Sequence, residues 1–454
     1  MKSLDTTSGP DLSSWPRGAQ AFMAVLLLTI AFWHTDHAFF WRDDWNFLSG
    51  MRSFSTGYLF SDHFGHVMPL TKLFYYLELV LFGPDADSFA LVNLLVMAVT
   101  AYMVLLILLR LTTSTAAWST TIILAVHPLL FNHVGWTFEQ CISWHLLFQV
   151  LAVGAFLGWT NSGTSRDLGL TILFTLLQNY SFGNGIFLPA FFAVAAFFWK
   201  ERTKVRTQGA GAFLLLFVLF LLVQLRFGGD RASGPSSAND FLGILTGGIH
   251  LLGIDTARWF FVMDHVLGRT LPILGTLLFL ALVVIALLRK DRDRGLALFH
   301  TGWFLVSFCS VPLVRRASLM DLPIPHYYSI LCLVPAAFIV EHALGGRSWW
   351  SIVPQKLMLT GAVGLLILVF LLDRQLMAMI SFRSFRNEQA MMHSLQDGTP
   401  YKGFDEPYFR ADKDKVEDPL GIYRYWRERD HFRLPIGYAH EPSNWTRTTP
   451  LSEQ

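Results

Sequence analysis

The stretch FALVNLLVMAVTAYMVLLILL, residues 89–109, contains 21 residues and no charged side chain, and it decides the fold class. An α-helix rises about 1.5 Å per residue, so this stretch is long enough to cross the roughly 30 Å hydrocarbon core of a bilayer. Of the 454 residues, 53% are hydrophobic and 15% are charged. Soluble domains carry about 25% charged residues. We therefore expect an integral membrane protein.

Further apolar runs bring the total to about eleven spans, each of roughly 17–25 residues with its flanks. The other strongly apolar runs lie at residues 21–33, 213–225, 271–288, 296–313 and 357–372. Shorter or interrupted runs lie at residues 116–131, 141–159, 168–182, 186–199 and 327–340. The sequence predicts an all-α fold, a polytopic bundle of transmembrane helices.

The Lys and Arg residues fall on one side of this predicted bundle. If the N-terminus is cytoplasmic, the cytoplasmic connections hold Arg110, Arg166 and the basic clusters at 200–206 and 289–294. Because cytoplasmic loops are enriched in Lys and Arg, we expect a cytoplasmic N-terminus and an extracytoplasmic C-terminus.

The domain organisation follows from this topology. We expect a transmembrane domain over residues 1–372, with large external loops at 34–88 and 228–269, and an external tail at 373–454. These three external segments would form a cap on the bundle. In the first loop, residues 67–82 are amphipathic, since Lys72 and Glu78 interrupt an apolar run, which predicts a helix along the membrane interface.

Composition also excludes several classes of protein. The net charge of +2 and the lack of a basic stripe argue against nucleic acid as a partner. The three cysteines show no metal-binding or disulfide spacing. The run 21–33 is followed by no small-residue cleavage site, so it is read as an uncleaved span. Few cysteines and no eukaryotic retention signal favour the bacterial plasma (inner) membrane.

The sharpest chemical feature is Trp41-Arg42-Asp43-Asp44-Trp45-Asn46-Phe47, directly after the first predicted span. A carboxylate at a membrane surface can accept the proton of an attacking hydroxyl group. It can also hold a divalent cation, so Asp43 and Asp44 are candidate metal ligands, although the sequence identifies no certain cofactor. The alternative is an interfacial loop, with two Trp rings in the aromatic belt and solvated aspartates.

The motifs that follow the acidic pair extend this pattern. They are Asp62-His63-Phe64-Gly65-His66, Met68-Pro69-Leu70-Thr71, Leu91-Val92-Asn93-Leu94, His127-Pro128, Tyr180-Ser181-Phe182-Gly183-Asn184-Gly185 and Pro325-His326-Tyr327-Tyr328-Ser329. Their order resembles the GT-C superfamily of membrane glycosyltransferases, most closely the protein O-mannosyltransferases and the transmembrane tetratricopeptide-repeat mannosyltransferases. This chain lacks the repeats. Met68 and His326 replace arginines of the family pattern, and the lysine and glutamate expected near Gly183 are absent.

The resemblance implies an inverting glycosyltransferase (hexosyl- or pentosyltransferase) that uses a polyprenyl-phosphate sugar on the extracytoplasmic side. The acceptor would be a glycan, a lipid or a protein. Asp43 and Asp44 are then the candidate catalytic residues, with Asp43 the first acid of the pair. The donor phosphate would contact Arg315, Arg316, His326 and Tyr327, since planar guanidinium groups suit phosphate. The two arginines alternatively extend to lipid headgroups. Candidate substrate-binding residues are Arg42, His63, His66, Glu139 and Asn184.

Several alternatives remain at this point. His63 and His66 would share a helix face and bind metal, or would contact substrate. Glu139 would bind substrate or pair with a loop histidine. The chain as a whole would be a transporter or flippase for a lipid-linked glycan, or a non-catalytic GT-C-like membrane protein. Transporters usually carry repeated halves and ionisable residues near mid-bilayer. We expect neither feature here.

Overall fold

The computed structural model describes residues 43–63, 66–112, 114–125, 127, 133, 137–199, 203–227, 238–261, 270–315 and 326–345. The predicted spans at 21–33 and 357–372, the tail at 373–454, and the residues Arg42 and Arg316 lie outside the described part of the chain. Side chains of a few helical residues, including Asp43, are also outside it.

The regular secondary structure of the described residues is helical apart from one short antiparallel β-hairpin. The hairpin pairs β1 (Asp62–His63) with β2 (His66–Val67). The helices are α1 (Asp43–Gly50), α2 (Thr56–Leu59), α3 (Pro69–Phe82), α4 (Ala86–Leu111), α5 (Ser114–Ala125), α6 (Gln140–Ser162), α7 (Ser165–Phe182), α8 (Leu188–Trp199), α9 (Thr203–Phe227), α10 (Ala238–Phe261), α11 (Thr270–Leu288), α12 (Arg294–Arg315) and α13 (His326–Leu344). Single 3-10 turns cover Met51–Ser53, Thr137–Glu139 and Asn184–Phe187. The all-α prediction is confirmed.

Three described helical stretches, Ala86–Leu111, Thr137–Ser162 and Thr207–Phe227, are long and apolar enough to cross a membrane. Several shorter apolar helices accompany them. Large apolar side chains also point outward, most clearly on α9, where Leu215 is 72% exposed and Leu225 is 63% exposed. Water would not favour such a surface, whereas lipid solvates it without cost. The chain is therefore an integral membrane protein. The predicted number of spans stays a prediction.

A tight connection joins α6 to α7 and fixes the centre of the bundle. Gly163 adopts a left-handed backbone (φ 69°), and its N–H donates to the Trp159 carbonyl at 2.8 Å. A glycine reaches this conformation without the steric cost that a β-carbon imposes. The Thr164 hydroxyl then accepts from the Asp167 N–H and caps α7. The two helices consequently run antiparallel and pack along their lengths.

A group that we call the arginine clamp closes one end of the bundle. It consists of Arg289, Arg292, Thr112, Glu341 and the Gly345 carbonyl. Arg292 contacts Glu341 Oε1 at 2.6 Å and the Gly345 oxygen at 2.6 Å, and its Nη1 reaches the Leu111 oxygen at 3.5 Å. Arg289 donates to the same Gly345 oxygen at 2.5 Å. Guanidinium donors thus satisfy carbonyls at the ends of α4 and α13.

The clamp orients two helices that matter for the site. Both α4 and α13 end at it, so their first residues, Ala86 and His326, lie toward the opposite end of the bundle. The loops around residues 110 and 289–294, which the sequence assigns to one side, meet here. Which side of the membrane this end faces stays a prediction.

Two of the predicted external segments contain helices, and their position outside the membrane stays a prediction. In α3, Lys72 and Glu78 are buried, and the outward residues include Leu77, Val80 and Leu81. The polar face of this helix therefore packs inward and its apolar face points outward. At 14 residues α3 is about 21 Å long, too short to cross a bilayer. In the second predicted loop, residues 238–261 form α10, which packs against α11.

Replacing Arg292 with Ala should lower the free energy of unfolding by about 2–3 kcal/mol, because the buried Glu341 carboxylate loses its charged hydrogen-bond donor. Thermal unfolding of the detergent-solubilised protein measures this change. The matched control is Lys290→Ala, two residues away and exposed. An equal effect of both substitutions would contradict a role for the clamp.

Candidate active site

Asp44 is fully buried (0% exposed) near the start of α1. Two hydroxyl groups donate to its Oδ1 atom, Tyr75 Oη from α3 at 2.9 Å and Thr137 Oγ1 at 2.5 Å. A buried carboxylate costs free energy unless hydrogen bonds replace its hydration. Asp44 therefore ties α1 to α3 and to the turn Thr137–Glu139. Phe47, one helical turn later in α1, packs edge-on against Tyr75 and Phe138 and reinforces this junction.

A second buried network adjoins the first through the same turn. Glu139 Oε2 lies 2.5 Å from His133 Nδ1, and His133 Nε2 lies 2.8 Å from Ser143 Oγ. Ser143 donates its hydroxyl hydrogen to Asn93 Oδ1, and Asn93 Nδ2 donates to the His133 carbonyl at 3.1 Å. Because the Ser143 hydrogen is committed to Asn93, His133 Nε2 must act as a donor. The other ring nitrogen of His133, Nδ1, contacts Glu139. This arrangement favours the pairing alternative for Glu139 over direct substrate contact.

Glu78 and Gln140 complete the polar group at this end of the bundle. With its amide nitrogen facing the carboxylate, Gln140 lies 2.8 Å from Glu78 Oε1. Burial raises the pKa of Glu78 well above its ordinary value, and the Gln140 hydrogen bond opposes that shift in part. Burial, followed by the negative charge of Asp44, also raises the pKa of Tyr75. Tyr75 therefore stays protonated and remains a hydrogen-bond donor to Asp44.

These residues converge because α3 carries its polar side chains at helical spacing. Thr71, Lys72, Tyr75 and Glu78 are all buried, at intervals of one to four residues that place them on one face. At the start of this face, the Thr71 hydroxyl donates to the Ser181 carbonyl at 2.5 Å and fixes α3 against the end of α7. The turn Thr137–Glu139 and the following Gln140 supply the opposite wall. We refer to Asp44, Tyr75, Glu78, Thr137, Glu139, Gln140, His133, Ser143 and Asn93 together as the acidic network.

His63 and His66 lie on a β-hairpin, not on a helix, so the expectation of a shared helix face is wrong. They are direct partners across β1 and β2. The His63 ring packs against Phe47 and Phe138, with centroids 4.8 and 5.2 Å away. The His66 ring stacks on Phe182 at 5.0 Å. A β-carbon at Gly183 (φ 74°) would lie 3.3 Å from His66 Nδ1, so this left-handed glycine lets the hairpin approach the end of α7.

The remaining predicted site residues are placed by their backbone alone. Asp43 begins α1, Asn184 begins a 3-10 turn, Arg315 ends α12, and His326 and Tyr327 begin α13. Because α4 and α13 both end at the arginine clamp, the start of α13 lies toward the end of the bundle that holds the acidic network. Their predicted contacts with substrate stay predictions.

The metal prediction also stays open. Among the described side chains, no group of three or more His, Cys, Asp or Glu residues has the arrangement of a metal site. Asp44 Oδ1 already accepts two hydroxyl groups, which limits its use as a ligand. Asp43, the other proposed ligand, has no described side chain.

Sequence reasoning missed Tyr75, Glu78 and Thr137 as members of the site. A signal was present for two of them. Polar residues at 71, 72, 75 and 78 within an apolar helix share one face, and this pattern could have been read as an inward polar face. Nothing in the sequence pairs Thr137 with Asp44, since the two are 93 residues apart.

Comparison with known proteins adds a distant structural likeness. No protein-family model matches the chain. No curated protein matches it. Among solved structures, the chain is similar to ArnT from Cupriavidus metallidurans bound to undecaprenyl phosphate, with 16% identity and a TM-score of 0.45. The match covers 91% of this chain and 75% of that chain. At this level of similarity, the match assigns neither activity nor site residues to this chain.

Removing both hydroxyl donors, by Tyr75→Phe with Thr137→Val, should destabilise the protein by at least about 2–3 kcal/mol, because a buried carboxylate is left without them. In that background Asp44→Asn should be neutral or stabilising, because a neutral amide costs less to bury, whereas Asp44→Asn alone should destabilise. Thermal unfolding of these three variants and of the natural protein measures this coupling. Tyr102→Phe, on the exposed face of α4, is the control. Additive effects would contradict the proposed hydrogen bonds.

Replacing Glu78 with Gln should stabilise the protein more at pH 8 than at pH 5. The ordinary pKa of 4.5 is raised by burial, so the contribution of Glu78 to stability is complete below pH 4.5 and is lost as pH rises through the folded-state pKa. Glutamine removes this dependence while retaining a partner for Gln140. Melting temperatures of both proteins from pH 5 to pH 8 provide the comparison. A variant that is less stable than the natural protein at pH 8 would show that Glu78 is held in the ionised form.

Proposed function

We propose that this chain is an inverting membrane glycosyltransferase that moves a sugar from a polyprenyl-phosphate donor to an acceptor hydroxyl. The observation that carries the proposal is the burial of Asp44 between Tyr75 and Thr137 at one end of a membrane helix bundle. A carboxylate that is buried and held by two hydrogen-bond donors is typical of a functional site. The order of the sequence motifs supplies the donor class and the GT-C assignment.

Asp43 is the proposed general base, and Asp44 is the residue that positions it. Asp44 is fully buried and its Oδ1 atom is engaged twice, so it is poorly placed to receive a proton from a substrate. The anchored Asp44 fixes the first turn of α1, where Asp43 begins the helix. In the proposed reaction, Asp43 accepts the proton of the acceptor hydroxyl. The hydroxyl oxygen forms a bond to the anomeric carbon as the bond to the phosphate oxygen breaks on the opposite face.

The departing polyprenyl phosphate carries negative charge that requires cationic or hydrogen-bond donors. We propose Arg315, Arg316, His326 and Tyr327 for this role, with Arg42, His63, His66 and Asn184 contacting sugar or acceptor. The support is positional: Arg315 ends α12 and His326 begins α13, so both belong to the connection between two adjacent helices. If a divalent cation takes part, Asp43 and Asp44 would hold it, and it would stabilise the negative charge of the leaving phosphate as an arginine does.

Finer assignments belong to the same proposal. The motif order favours the O-mannosyltransferase branch of GT-C enzymes and a hexosyl or pentosyl donor. The acceptor would be a glycan, a lipid or a protein. The distribution of Lys and Arg supports a cytoplasmic N-terminus and an external active site. The small number of cysteines favours a bacterial inner-membrane protein.

One observation favours a second candidate, a transporter or flippase for a lipid-linked glycan. Asp255 is fully buried in α10 and accepts from Ser329 Oγ at 2.5 Å. Buried polar side chains also line α6, where Gln149 donates to Ser307 on α12 at 2.8 Å. Ionisable groups at such positions are typical of transport pathways. Flux of a lipid-linked glycan in proteoliposomes without sugar transfer would favour this candidate.

The transferase proposal predicts that Asp43→Asn abolishes transfer, with a loss of about 10²–10⁴-fold, because the general base is removed. The measurement is release of polyprenyl phosphate from a labelled polyprenyl-phosphate sugar by the protein reconstituted in liposomes. Asp44→Asn should lower both activity and melting temperature, because it also disturbs α1. Asp85→Asn is the control, since this exposed carboxylate in the same predicted loop contacts Ser88. Full activity of Asp43→Asn would remove the catalytic assignment.

A further inference from the structure

A groove of about 540 Å³ adjoins the acidic network without including any of its residues, and lies between the first predicted external loop and the end of α9. One wall consists of residues 56–57 and 60–62, and the other consists of Arg226 and Phe227. The groove is open, and its lining combines a guanidinium group, a carboxylate, hydroxyl groups and two aromatic rings. None of these residues belongs to the proposed catalytic site or donor site. Asp62 directly precedes His63, which is a proposed substrate contact.

The groove is preformed because a buried lysine holds its floor. Lys72 Nζ donates to the Ser61 carbonyl and to Ser61 Oγ, both at 2.8 Å, and to the Tyr58 carbonyl at 2.9 Å. The Ser61 hydroxyl in turn donates to the Tyr58 carbonyl at 2.7 Å. Three hydrogen bonds from a single ammonium group restrain residues 58–61, so little ordering is required when a ligand binds.

The opposite wall connects the groove to the lipid. On α9, Leu215, Leu222 and Leu225 are 58–72% exposed, which marks this helix face as lipid-facing. The same helix ends with exposed Arg226, whose guanidinium carbon lies 5.5 Å from the centre of the Phe227 ring. Phe227 and Phe60 lie with ring centroids 6.2 Å apart, and both rings are about 40% exposed. An arginine and aromatic rings at the end of an apolar helix are typical of the level of lipid headgroups.

We infer that this groove binds a membrane lipid that carries a phosphate group and a hydroxylated headgroup. The Arg226 guanidinium binds the phosphate through paired N–H donors, and the acyl chains follow the exposed leucines of α9. The Asp62 carboxylate and the Ser61 hydroxyl oxygen accept hydrogen bonds from the headgroup hydroxyls, and the Thr56 hydroxyl donates or accepts one. Phe60 and Phe227 contact its apolar CH surface. A soluble phosphate ion would use Arg226 alone and gain nothing from the leucine face.

The groove and the acidic network share a wall, which gives the lipid a functional position. Asp62 lines the groove, and the next residue, His63, packs against Phe47 and Phe138 beside Asp44 and Thr137. Lys72 holds the groove floor, and Tyr75 and Glu78 on the same face of α3 belong to the network. If the proposed function is correct, a lipid held here brings its headgroup toward the reacting centre. The binding inference itself does not require that function.

The test measures lipid retention by the full-length protein in detergent, using native mass spectrometry with added phosphatidylglycerol. Phosphatidylglycerol has the phosphate and two headgroup hydroxyls, phosphatidic acid has the phosphate alone, and phosphatidylcholine is zwitterionic without hydroxyls. We expect tighter binding of phosphatidylglycerol than of the other two. Arg226→Gln should weaken phosphatidylglycerol binding about tenfold, because a charge-assisted contact is lost. Asp62→Asn should reduce the preference for phosphatidylglycerol over phosphatidic acid.

The matched control is Arg166→Gln, an exposed arginine next to the α6–α7 connection, which should leave binding unchanged. Melting temperatures of all variants check that each is folded. Because the Arg226 side chain is exposed, Arg226→Gln should not disturb the packing of the bundle. Equal binding of the three lipids, or equal weakening by both arginine substitutions, would overturn the inference. Competition by inorganic phosphate at the same concentration as phosphatidylglycerol would also overturn it, since the site would then recognise the ion and not the lipid. Sugar-transfer activity is a separate readout, so failure of either proposal is distinguishable from failure of the other.

Discussion

The acidic end of this bundle depends on the cost of burying the Asp44 carboxylate. No water reaches Asp44, and two hydroxyl groups from distant parts of the chain, Tyr75 and Thr137, supply hydrogen bonds in its place. Each of these donors lies on an element that is itself fixed by further polar contacts. Thr71 anchors α3 to the end of α7, and His133 anchors the 137–139 turn through Glu139. Disturbing one donor would therefore affect α1, α3 and the start of α6 together.

The two ends of the bundle use opposite charges for different purposes. At one end, Arg289 and Arg292 satisfy helix-terminal carbonyls and pair with Glu341, an arrangement that joins helix ends. At the other end, Asp44, Glu78 and Glu139 are buried behind neutral donors and a histidine. The clamp is suited to holding helix ends together, because arginine and glutamate side chains that are paired with each other are not available to bind a substrate. The acidic end holds its carboxyl groups in fixed positions through hydrogen bonds from Tyr75, Thr137 and Gln140 and through the contact of Glu139 with His133.

The helix α3 shows how the membrane changes the usual reading of amphipathic sequence. In a soluble protein Lys72 and Glu78 would be expected to face water, with the leucines inside. Here Lys72 and Glu78 face inward and meet polar partners, while Leu77, Val80 and Leu81 face outward. A helix that lies against lipid gains nothing by hiding its apolar face. The inward polar face contributes Lys72 to the floor of the groove, and it contributes Tyr75 and Glu78 to the acidic network.

The sequence alone determined the fold class and much of the helix positions, because a span requires a long run of apolar residues and such runs are visible without tertiary information. The predicted runs from 89–109 through 327–340 each fall on a described helix, although α5 ends at Ala125, before the predicted limit. The acidic pair and the histidines were also found from sequence, since charged residues are rare in so apolar a chain. The sequence could not determine that Asp44 meets Tyr75 and Thr137, that His63 and His66 lie across a β-hairpin, or that Glu139 pairs with His133. Those contacts depend on how separate elements and loops meet in the folded chain, and a contact between a single pair of side chains leaves no periodic signal in one sequence.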